Sequence, residues 1–581
     1  MVNLTIDDIA VQVSEGTTIL DAAFAAQVKI PTLCKHRDLR PSAGCGICVV
    51  KLAGGRGMVR ACCTPAAEGM AVITQDPELA AVRRTLVKLI LSDHPNACLT
   101  CGRNGTCELQ DIAAEFGIRH IPYPNLTEEI PIDASTQAIY LEPSKCIKCQ
   151  RCLIVCQELQ DVWALSFVDR GIETRMAPAG DIELSESPCI RCGQCSAHCP
   201  TGAIFEYNQT EEVWDMLMDP ELHVIAQIAP AVRVSVGEAF GYEPGTNLTG
   251  KLYATLRRIG FDTVFDTNFG ADVTIMEEAT ELAARLKEGA GPLPLITTCC
   301  PSWVDFMEKF HDDMIPHFSS CKSPHAIVGT LAKTYYAQQV GLDPEKVRMV
   351  SIMPCTSKKY EIARSTEMFA SGMQDVDLSI TTRELSRMIR QAGVDFENLP
   401  DEAADSPLGK YSGAGTIFGA TGGVATAALR TAHHFLTGMD IEDLEFRQIN
   451  SLDGVKEMEV SIGGQAVRVA VSHGMGNVEQ VLDRIRAAAK AGDEPAYHLV
   501  EVMACPGGCI GGGGQSWGVT DEIRRKRVEG LLADDRGQSV RRSHQNPSVQ
   551  KLYKEFLGEP SGETARNLLH THYRSRPEYQ R

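Results

Sequence analysis

The chain has 581 residues, and its 75 Asp and Glu against 56 Lys and Arg leave a formal net charge of −19, which argues against a nucleic-acid partner and for a soluble protein of roughly two to four domains. No run approaches the ~18 consecutive apolar residues of a membrane span, and the start, Met1-Val-Asn-Leu-Thr-Ile-Asp, lacks the regions of a signal peptide and any twin-arginine pair, so a cytoplasmic location is expected. Twenty-two cysteines exceed the needs of an ordinary cytosolic enzyme, and clusters of C-x-x-C in a reducing compartment read as metal sites rather than disulfides.

In chain order, Val2–Ile6 and Ile9–Val13 alternate apolar and polar residues around Asp7-Asp8, the pattern of a hairpin, and Thr17 or Thr18 caps a short helix through Ala26. Cys34, Cys45, Cys48 and either Cys62 or Cys63 follow in a glycine-dotted loop, a longer form of the plant-type [2Fe-2S] spacing. Asp76-Pro77-Glu78 opens a helix expected to run to about Ser92. Next, His94-x3-Cys98-x2-Cys101-x5-Cys107 sets one imidazole ahead of three thiols in a compact loop. Residues 122–131 contain prolines without helical periodicity and read as a connection.

Two runs then repeat, Cys146-x2-Cys149-x2-Cys152-x3-Cys156 and Cys189-x2-Cys192-x2-Cys195-x3-Cys199-Pro200. This is bacterial-type ferredoxin spacing for two [4Fe-4S] clusters, in which the fourth cysteine of each run serves the other cluster. One set is therefore Cys146, Cys149, Cys152 and Cys199, and the other Cys189, Cys192, Cys195 and Cys156. Zinc has no use for a third regularly spaced cysteine.

From about Thr210 cysteine becomes sparse, and apolar runs such as 223–228 and 347–352 alternate with helix-like stretches, as in an α/β domain. Residues 271–288, closed by Gly289, read as a helix with an apolar stripe at Ile275, Ala279, Leu282 and Leu286. At about 100° per residue, Glu278 lies about 40° from Leu282 and Glu281 roughly 60° farther out, stepping from core to surface. Thr297-Thr298-Cys299-Cys300-Pro301-Ser302-Trp303 and Met353-Pro354-Cys355-Thr356-Ser357-Lys358-Lys359 each follow a run read as a buried strand, 293–296 and 347–352, where open sheets keep their sites. Residues 501–515, E-V-M-A-C-P-G-G-C-I-G-G-G-G-Q, hold Cys505 and Cys509 among six glycines. Such a run lets the main chain turn through positive φ and approach a bulky, inorganic object closely. Gly413-Ala-Gly415 fails the dinucleotide pattern because Phe418 stands three residues on, and no P-loop is present, so nicotinamide chemistry belongs to another subunit. The tail from Asp521 is charged and helix-like, and its histidines, His544, His570 and His572, read as packing or hydrogen-bonding groups on the surface rather than as a metal site.

The three stretches around Cys300, Cys355 and Cys505 together resemble the catalytic signatures of [FeFe] hydrogenases. The resemblance implies an H-cluster, a [4Fe-4S] cubane joined through one cysteine sulfur to a di-iron unit with carbon monoxide, cyanide and a dithiolate bridge. Its ligands would be Cys300, Cys355, Cys505 and Cys509, with Cys509 the bridge. The amino-terminal segment is similar to the ferredoxin-like domain of this family and of the large iron–sulfur subunit of respiratory complex I, which selects Cys62, leaves Cys63 spare and makes His94, Cys98, Cys101 and Cys107 a [4Fe-4S] ligand set. The family's proton path would run from Cys299 through Glu278 and Ser319 to Glu281, with Arg285 able to pair with Glu281. Lys358 would donate to a cyanide, and Pro230 and Ala231 of the Ala229-Pro230-Ala231 loop, Met353, Met503 and Phe418 of the 413–423 stretch would line the pocket. Gly511, Ser516 and His325 depart from the family's commoner Asn, Pro and Gln.

The expected fold is multidomain α+β and α/β. It comprises a β-grasp [2Fe-2S] ferredoxin-like domain (1–78), a histidine-ligated [4Fe-4S] domain (79–138), a two-[4Fe-4S] ferredoxin domain (139–208), an α/β H-cluster domain (209–520) and a small-subunit-like extension (521–581). The expected activity is reversible oxidation of H2, with electrons passing along four accessory clusters. Expected partners are flavin- and NAD(P)-binding subunits or ferredoxin, together with maturation proteins that build the di-iron unit. Lys35, His36, Arg37 and Arg40 beside Cys34 form either a dock for an acidic partner or a solvated loop. A rival reading is a non-catalytic electron-transfer or iron–sulfur assembly protein of hydrogenase-like architecture, against which Cys299, Lys358, Met353 and the four cubane cysteines argue.

Overall fold

The computed structural model describes every residue except 56, 365–367, 371, 442–446, 453 and 581. Val2–Ile6 pairs antiparallel with Ile9–Val13, and Asp7 and Asp8, at φ of 46° and 65°, make the tight turn whose twist suits a two-residue hairpin. Val2–Ile6 also runs parallel to Ala71–Ile73, completing a five-stranded sheet with Val49–Leu52 and Met58–Arg60. Thr18 caps the helix Ile19–Ala25 by accepting the Asp21 N–H. Asp76 caps Pro77–Ser92 by accepting that of Leu79.

The ferredoxin-like segment is closed by Ile139–Leu141 pairing antiparallel with Ile204–Glu206. Its core packs Ile139, Leu153, Met176 and Ile204 around Cys152, Cys195 and Cys199. This small core has the cluster thiols within it.

Beyond it lie two sheets. One is four-stranded and parallel, in the order Thr263–Asp266, His223–Ile228, Val347–Met353, Leu378–Thr381, and its nearly continuous apolar strands are covered on both faces. The other runs Leu295–Ile296, Leu499–Met503, Gln465–His473, Val455–Ile462, Arg447–Leu452. Chain leaving the carboxyl ends of Leu295–Ile296, Val347–Met353 and Leu499–Met503 leads directly to Cys299, Cys355 and Cys505, so the two sheets deliver their loops to one place.

Some expectations need correction. The strand expected over 293–296 is only Leu295–Ile296, because Pro294 has no N–H to give a ladder. The helix expected from Ala271 begins at Thr267, capped by Asp266, and ends at Glu288 with Gly289 left-handed at φ 63°. Its first turn contains Asn268 and Gly270, poor helix formers, and Gly270 is required there because a Cβ would come within 2.2 Å of the Pro324 carbonyl. The tail packs into the fold, and its histidines are not all on the surface. Its helix Asp521–Gly537 buries Arg527 and Leu531, and Arg527 donates to both Glu238 oxygens at 2.7 Å and to the Ile510 carbonyl at 2.6 Å. His544 is buried, stacked 4.2 Å from His434 and bonded to Thr431 and Asp440. His570 lies between Ser320 and Glu277. Only His572 of the three is exposed.

Candidate active site

Four thiols from three distant loops meet at one cavity. Cys300, Cys355, Cys505 and Cys509 line it together with Cys299, Lys358, Pro230, Met353, Phe418 and Met503. Ala231 is not among the lining residues; its methyl packs with Ile510 and Leu531, and its carbonyl accepts from Ser235 at 2.8 Å. Cys300 immediately precedes the helix Pro301–Phe310, and its sulfur accepts the Ala504 N–H at 3.5 Å. Burial and the neighbouring Cys300 push the Cys355 thiol up to about 12, against the Lys358 charge and the N–H groups of Ser357 and Lys358. Buried thiols of this kind ionise when a metal supplies the charge, so the donor set suits a soft, thiolate-bound cluster.

The glycines beside these thiols have a different role from the one expected of them all. Gly508 (φ 93°) and Gly512 face the cavity, but a Cβ on Gly511, Gly512, Gly513 or Gly514 would meet other backbone first: the carbonyls of Pro506, Pro354 and Cys192 at 2.1–2.2 Å, and the Cys355 nitrogen at 2.9 Å. The run is small because protein loops close on it. That holds for Gly511 in particular, where the family more often has asparagine.

Lys358 reaches the Cys299 carbonyl at 3.1 Å and Glu361 Oε2 at 2.6 Å. The same Glu361 oxygen lies 2.7 Å from His325 Nε2, whose Nδ1 is 3.1 Å from the Ser351 hydroxyl. Burial pushes His325 down to about 4, so a neutral ring donates to Glu361. Burial works against the Lys358 charge, but Glu361 outweighs it and holds the ammonium above the usual lysine range.

Glu278, which acts electrostatically on Cys299, is buried beside Ser319. Burial, reinforced by Glu281, pushes it up to about 8. Its Oε2 and that of Glu281 have no partner. Glu281 is 20% exposed in its side chain and bonded to Arg285 at 2.6 Å. Arg285 is fixed in turn by the carbonyls of Pro292, His317 and Phe318. The core-to-surface stepping expected from helix geometry is present.

Residues 222–513 match the family described as iron only hydrogenase large subunit, C-terminal domain. Residues 521–576 match the iron hydrogenase small subunit. Upstream, residues 1–77 match a 2Fe-2S cluster binding domain, 83–122 the NADH-ubiquinone oxidoreductase-G iron–sulfur binding region and 140–203 a 4Fe-4S dicluster domain. The NADP-reducing hydrogenase subunit HndD of Solidesulfovibrio fructosivorans is 45% identical over 99% of both chains. Iron hydrogenase 1 of Clostridium pasteurianum is 38% identical over 99% of this chain and 100% of its own. The chain belongs to the [FeFe] hydrogenases. A solved [FeFe]-hydrogenase from Chlamydomonas reinhardtii, 39% identical, superposes with a TM-score of 0.56 over 63% of this hydrogenase and 99% of its own chain. The enzyme interconverts H2 with protons and electrons, and its cofactors are one [2Fe-2S] cluster, three accessory [4Fe-4S] clusters and the H-cluster.

The accessory thiols of the hydrogenase lie in separate groups. Cys34 contacts Cys45 and Cys62, and Cys48 contacts Cys62. Cys63 is exposed, turned to the Arg60 carbonyl at 3.7 Å. His94 is buried with Nε2 unpartnered and shares a cavity with Cys98, Cys101 and Cys107, where a Cβ on Gly202 would come within 2.6 Å of the Cys101 sulfur. An orphaned imidazole nitrogen among three thiols fits a metal ligand and little else. Cys199 lies with Cys146, Cys149 and Cys152, and Cys156 with Cys189, Cys192 and Cys195 around another cavity.

Of the basic residues beside Cys34, Arg37 and Arg40 are exposed and Lys35 and His36 are half-buried. Arg40 pairs with Glu158, Lys35 bonds the Leu39 carbonyl at 2.5 Å, Arg37 covers the Phe24 ring, and His36 packs edge-on against His198. Three of the four residues are thus taken up in contacts with their own loop or the ferredoxin segment. Glu361 and Glu501 were missed by sequence reasoning. Glu361 had a signal, its i,i+3 spacing from Lys358. Glu501, which accepts N–H groups of Gly422 and Ala425 at 2.6 and 2.8 Å, had none.

Proposed function

We propose that Cys300, Cys355, Cys505 and Cys509 hold the cubane of the H-cluster, with Cys509 bridging to the di-iron unit. We assign the accessory clusters to Cys34, Cys45, Cys48 and Cys62; to His94, Cys98, Cys101 and Cys107; and to the two crossed ferredoxin sets. The domain boundaries at 78, 138, 208 and 520 belong to the same reading. The observation that carries it is the convergence of four thiols from distant loops on one cavity whose other charged group is Lys358.

When bound, the H-cluster supplies the metal centre at which H2 is split or formed. The protein's part is to move protons and keep the site dry. Cys299 holds a transferable proton at Sγ on the cavity wall, and Glu278, largely protonated at neutral pH, exchanges with it. The Ser319 hydroxyl links Glu278 towards Glu281, and Arg285 fixes Glu281 where the side chain becomes accessible. Lys358, anchored by Glu361 and the Cys299 carbonyl, has a further N–H for a cyanide ligand. Met353, Met503, Phe418 and Pro230 exclude water, which strengthens every charge interaction inside.

The relative named as a subunit of an NADP-reducing enzyme supports docking to flavin- and NAD(P)-binding subunits, with ferredoxin as the alternative acceptor and maturation proteins supplying the di-iron unit. Among the described residues no helix is long and apolar enough to cross a membrane, which fits a cytoplasmic enzyme. The test is an infrared spectrum of protein matured with the di-iron unit: bands of metal-bound carbon monoxide and cyanide are expected, and are expected to vanish in Cys509→Ala. Bands that persist unchanged in that variant would overturn the assignment.

A further inference from the structure

Arg103 is buried at 2% exposure, and its Nε and Nη1 have no hydrogen-bond partner. Other buried arginines nearby are compensated. Arg151 is bidentate to Glu108 at 2.7 and 2.8 Å, Arg191 bonds Asp305 at 2.6 Å, and Arg383 bonds Glu206 at 2.9 Å and the Gly513 and Gln515 carbonyls. Arg103 instead lies 3.6 Å over the ring of Trp517, whose indole also carries Arg383 at 3.8 Å. A cation is not left without a counterion in a dry interior unless something anionic is supplied.

A Cβ on Gly202 would lie 2.6 Å from the Cys101 sulfur and 3.7 Å from the Arg103 side chain. The groups that act on the Arg103 charge are Cys199, Cys107 and Glu108, opposed by Arg383. The carboxylate of Glu108 is already paired with Arg151, and the cysteines become anionic when they bind metal. The two thiols stand close because the segments carrying them are joined at Pro200, whose carbonyl accepts the Glu108 N–H at 3.0 Å and the Cys107 thiol at 3.7 Å. Under the ligand assignments proposed above, on which this step rests, Cys107 belongs to the histidine-ligated cluster and Cys199 to the neighbouring ferredoxin cubane.

We propose that Arg103 is an electrostatic positioning residue for the electron relay: its uncompensated guanidinium, held by Trp517 between these two clusters, stabilises an added electron on either of them. A histidine ligand leaves its cluster less negative than four thiolates would, and a cation shared by both clusters favours reduction of each. Because Trp517 belongs to the chain leaving the glycine run, the charge is fixed only when the catalytic and cluster-bearing segments are docked.

The test is a potentiometric titration of the full-length, cluster-loaded enzyme followed by electron paramagnetic resonance, for the native chain, Arg103→Met and Arg103→Lys. Arg103→Met is expected to lower the reduction equilibrium of both clusters about tenfold, 59 mV for a one-electron couple, with the [2Fe-2S] signal unmoved. Arg103→Lys is expected to retain most of the native potentials. Unmoved potentials in a fully loaded Arg103→Met, or an equal shift of the [2Fe-2S] cluster, would overturn the proposal. Loss of iron in Arg103→Met but not in Arg103→Lys supports the charge; loss in both makes Arg103 a packing residue and overturns it. Failure of the ligand assignment shows separately, as a potential of the proposed histidine-ligated cluster that does not respond to His94→Cys.

Discussion

Lys358 donates to Glu361 Oε2 at 2.6 Å across one helical turn, with both side chains nearly buried at 11% and 9% exposure. This makes the ammonium of the site dependent on a residue that does not line the cavity. Removing one partner of a buried pair leaves the other uncompensated and costs about 3–5 kcal/mol. Glu361→Gln is therefore expected to lower the unfolding temperature and, by withdrawing what holds Lys358 above its usual range, to bring the alkaline loss of turnover to lower pH. His325→Gln keeps a donor to Glu361 and is expected to stay near native in both measurements, whereas His325→Leu removes the donor and is expected to follow Glu361→Gln. Equal behaviour of the two His325 variants would show that the histidine is packing only.

Glu278 carries a pH prediction. Its carboxyl titrates near 8 in the fold because of burial, against an ordinary carboxyl value of about 4.3. Between those values the native state holds a proton that the unfolded chain has released, so this group's contribution to stability is fully present below the lower value and falls as pH rises through the upper one. Glu278→Gln is expected to remove that slope and to abolish an infrared carboxylic-acid band lost near pH 8. Turnover is expected to drop by about 10²–10⁴, the range for losing a positioned proton-transfer group. A variant with native turnover would exclude Glu278 from the path.

Cys299 offers a way to separate proton delivery from cluster binding, since it lines the cavity beside Cys300 but is not one of the four thiols proposed to hold the cubane. Cys299→Ser is expected to keep the carbon monoxide and cyanide bands and lose most turnover. Undiminished turnover would remove Cys299 from proton transfer, and absent bands would make it a residue needed to build the site.

What could be read from the sequence was local. Cys146, Cys149 and Cys152 announce a cluster because a cubane's ligands fit one tight loop, and Asp7-Asp8, Thr18 and Asp76 announce a turn and two caps because those bonds close within a few residues. The expectation that Cys156 and Cys199 each serve the other run followed from a spacing rule. Relations spanning the chain were hidden: Glu361 with His325, Trp517 beneath Arg103, and Arg40 with Glu158. The reason for Gly511 to Gly514 was also out of reach, since the backbones that press on them come from Pro354, Pro506 and the ferredoxin segment.

Gly513 offers the most direct test of that last relationship. A Cβ there would lie 2.2 Å from the Cys192 carbonyl and 2.7 Å from the Gly193 main chain, and the same junction is held by Gln194 donating to the Gly511 carbonyl at 2.9 Å and Thr356 to the Arg191 carbonyl at 2.9 Å. This contact brings the loop of Cys192 in the ferredoxin segment against the glycine run that carries Cys505 and Cys509. Gly513→Ala forces the two loops apart at an overpacking cost of about 1–3 kcal/mol. Exchange of H2 with deuterated water needs proton transfer but no external electrons, so it is expected to survive, while oxidation of H2 coupled to an external acceptor falls. An equal fall in both would mean that the catalytic cavity itself is distorted, and an unchanged acceptor-coupled rate would mean that the junction does not limit electron passage.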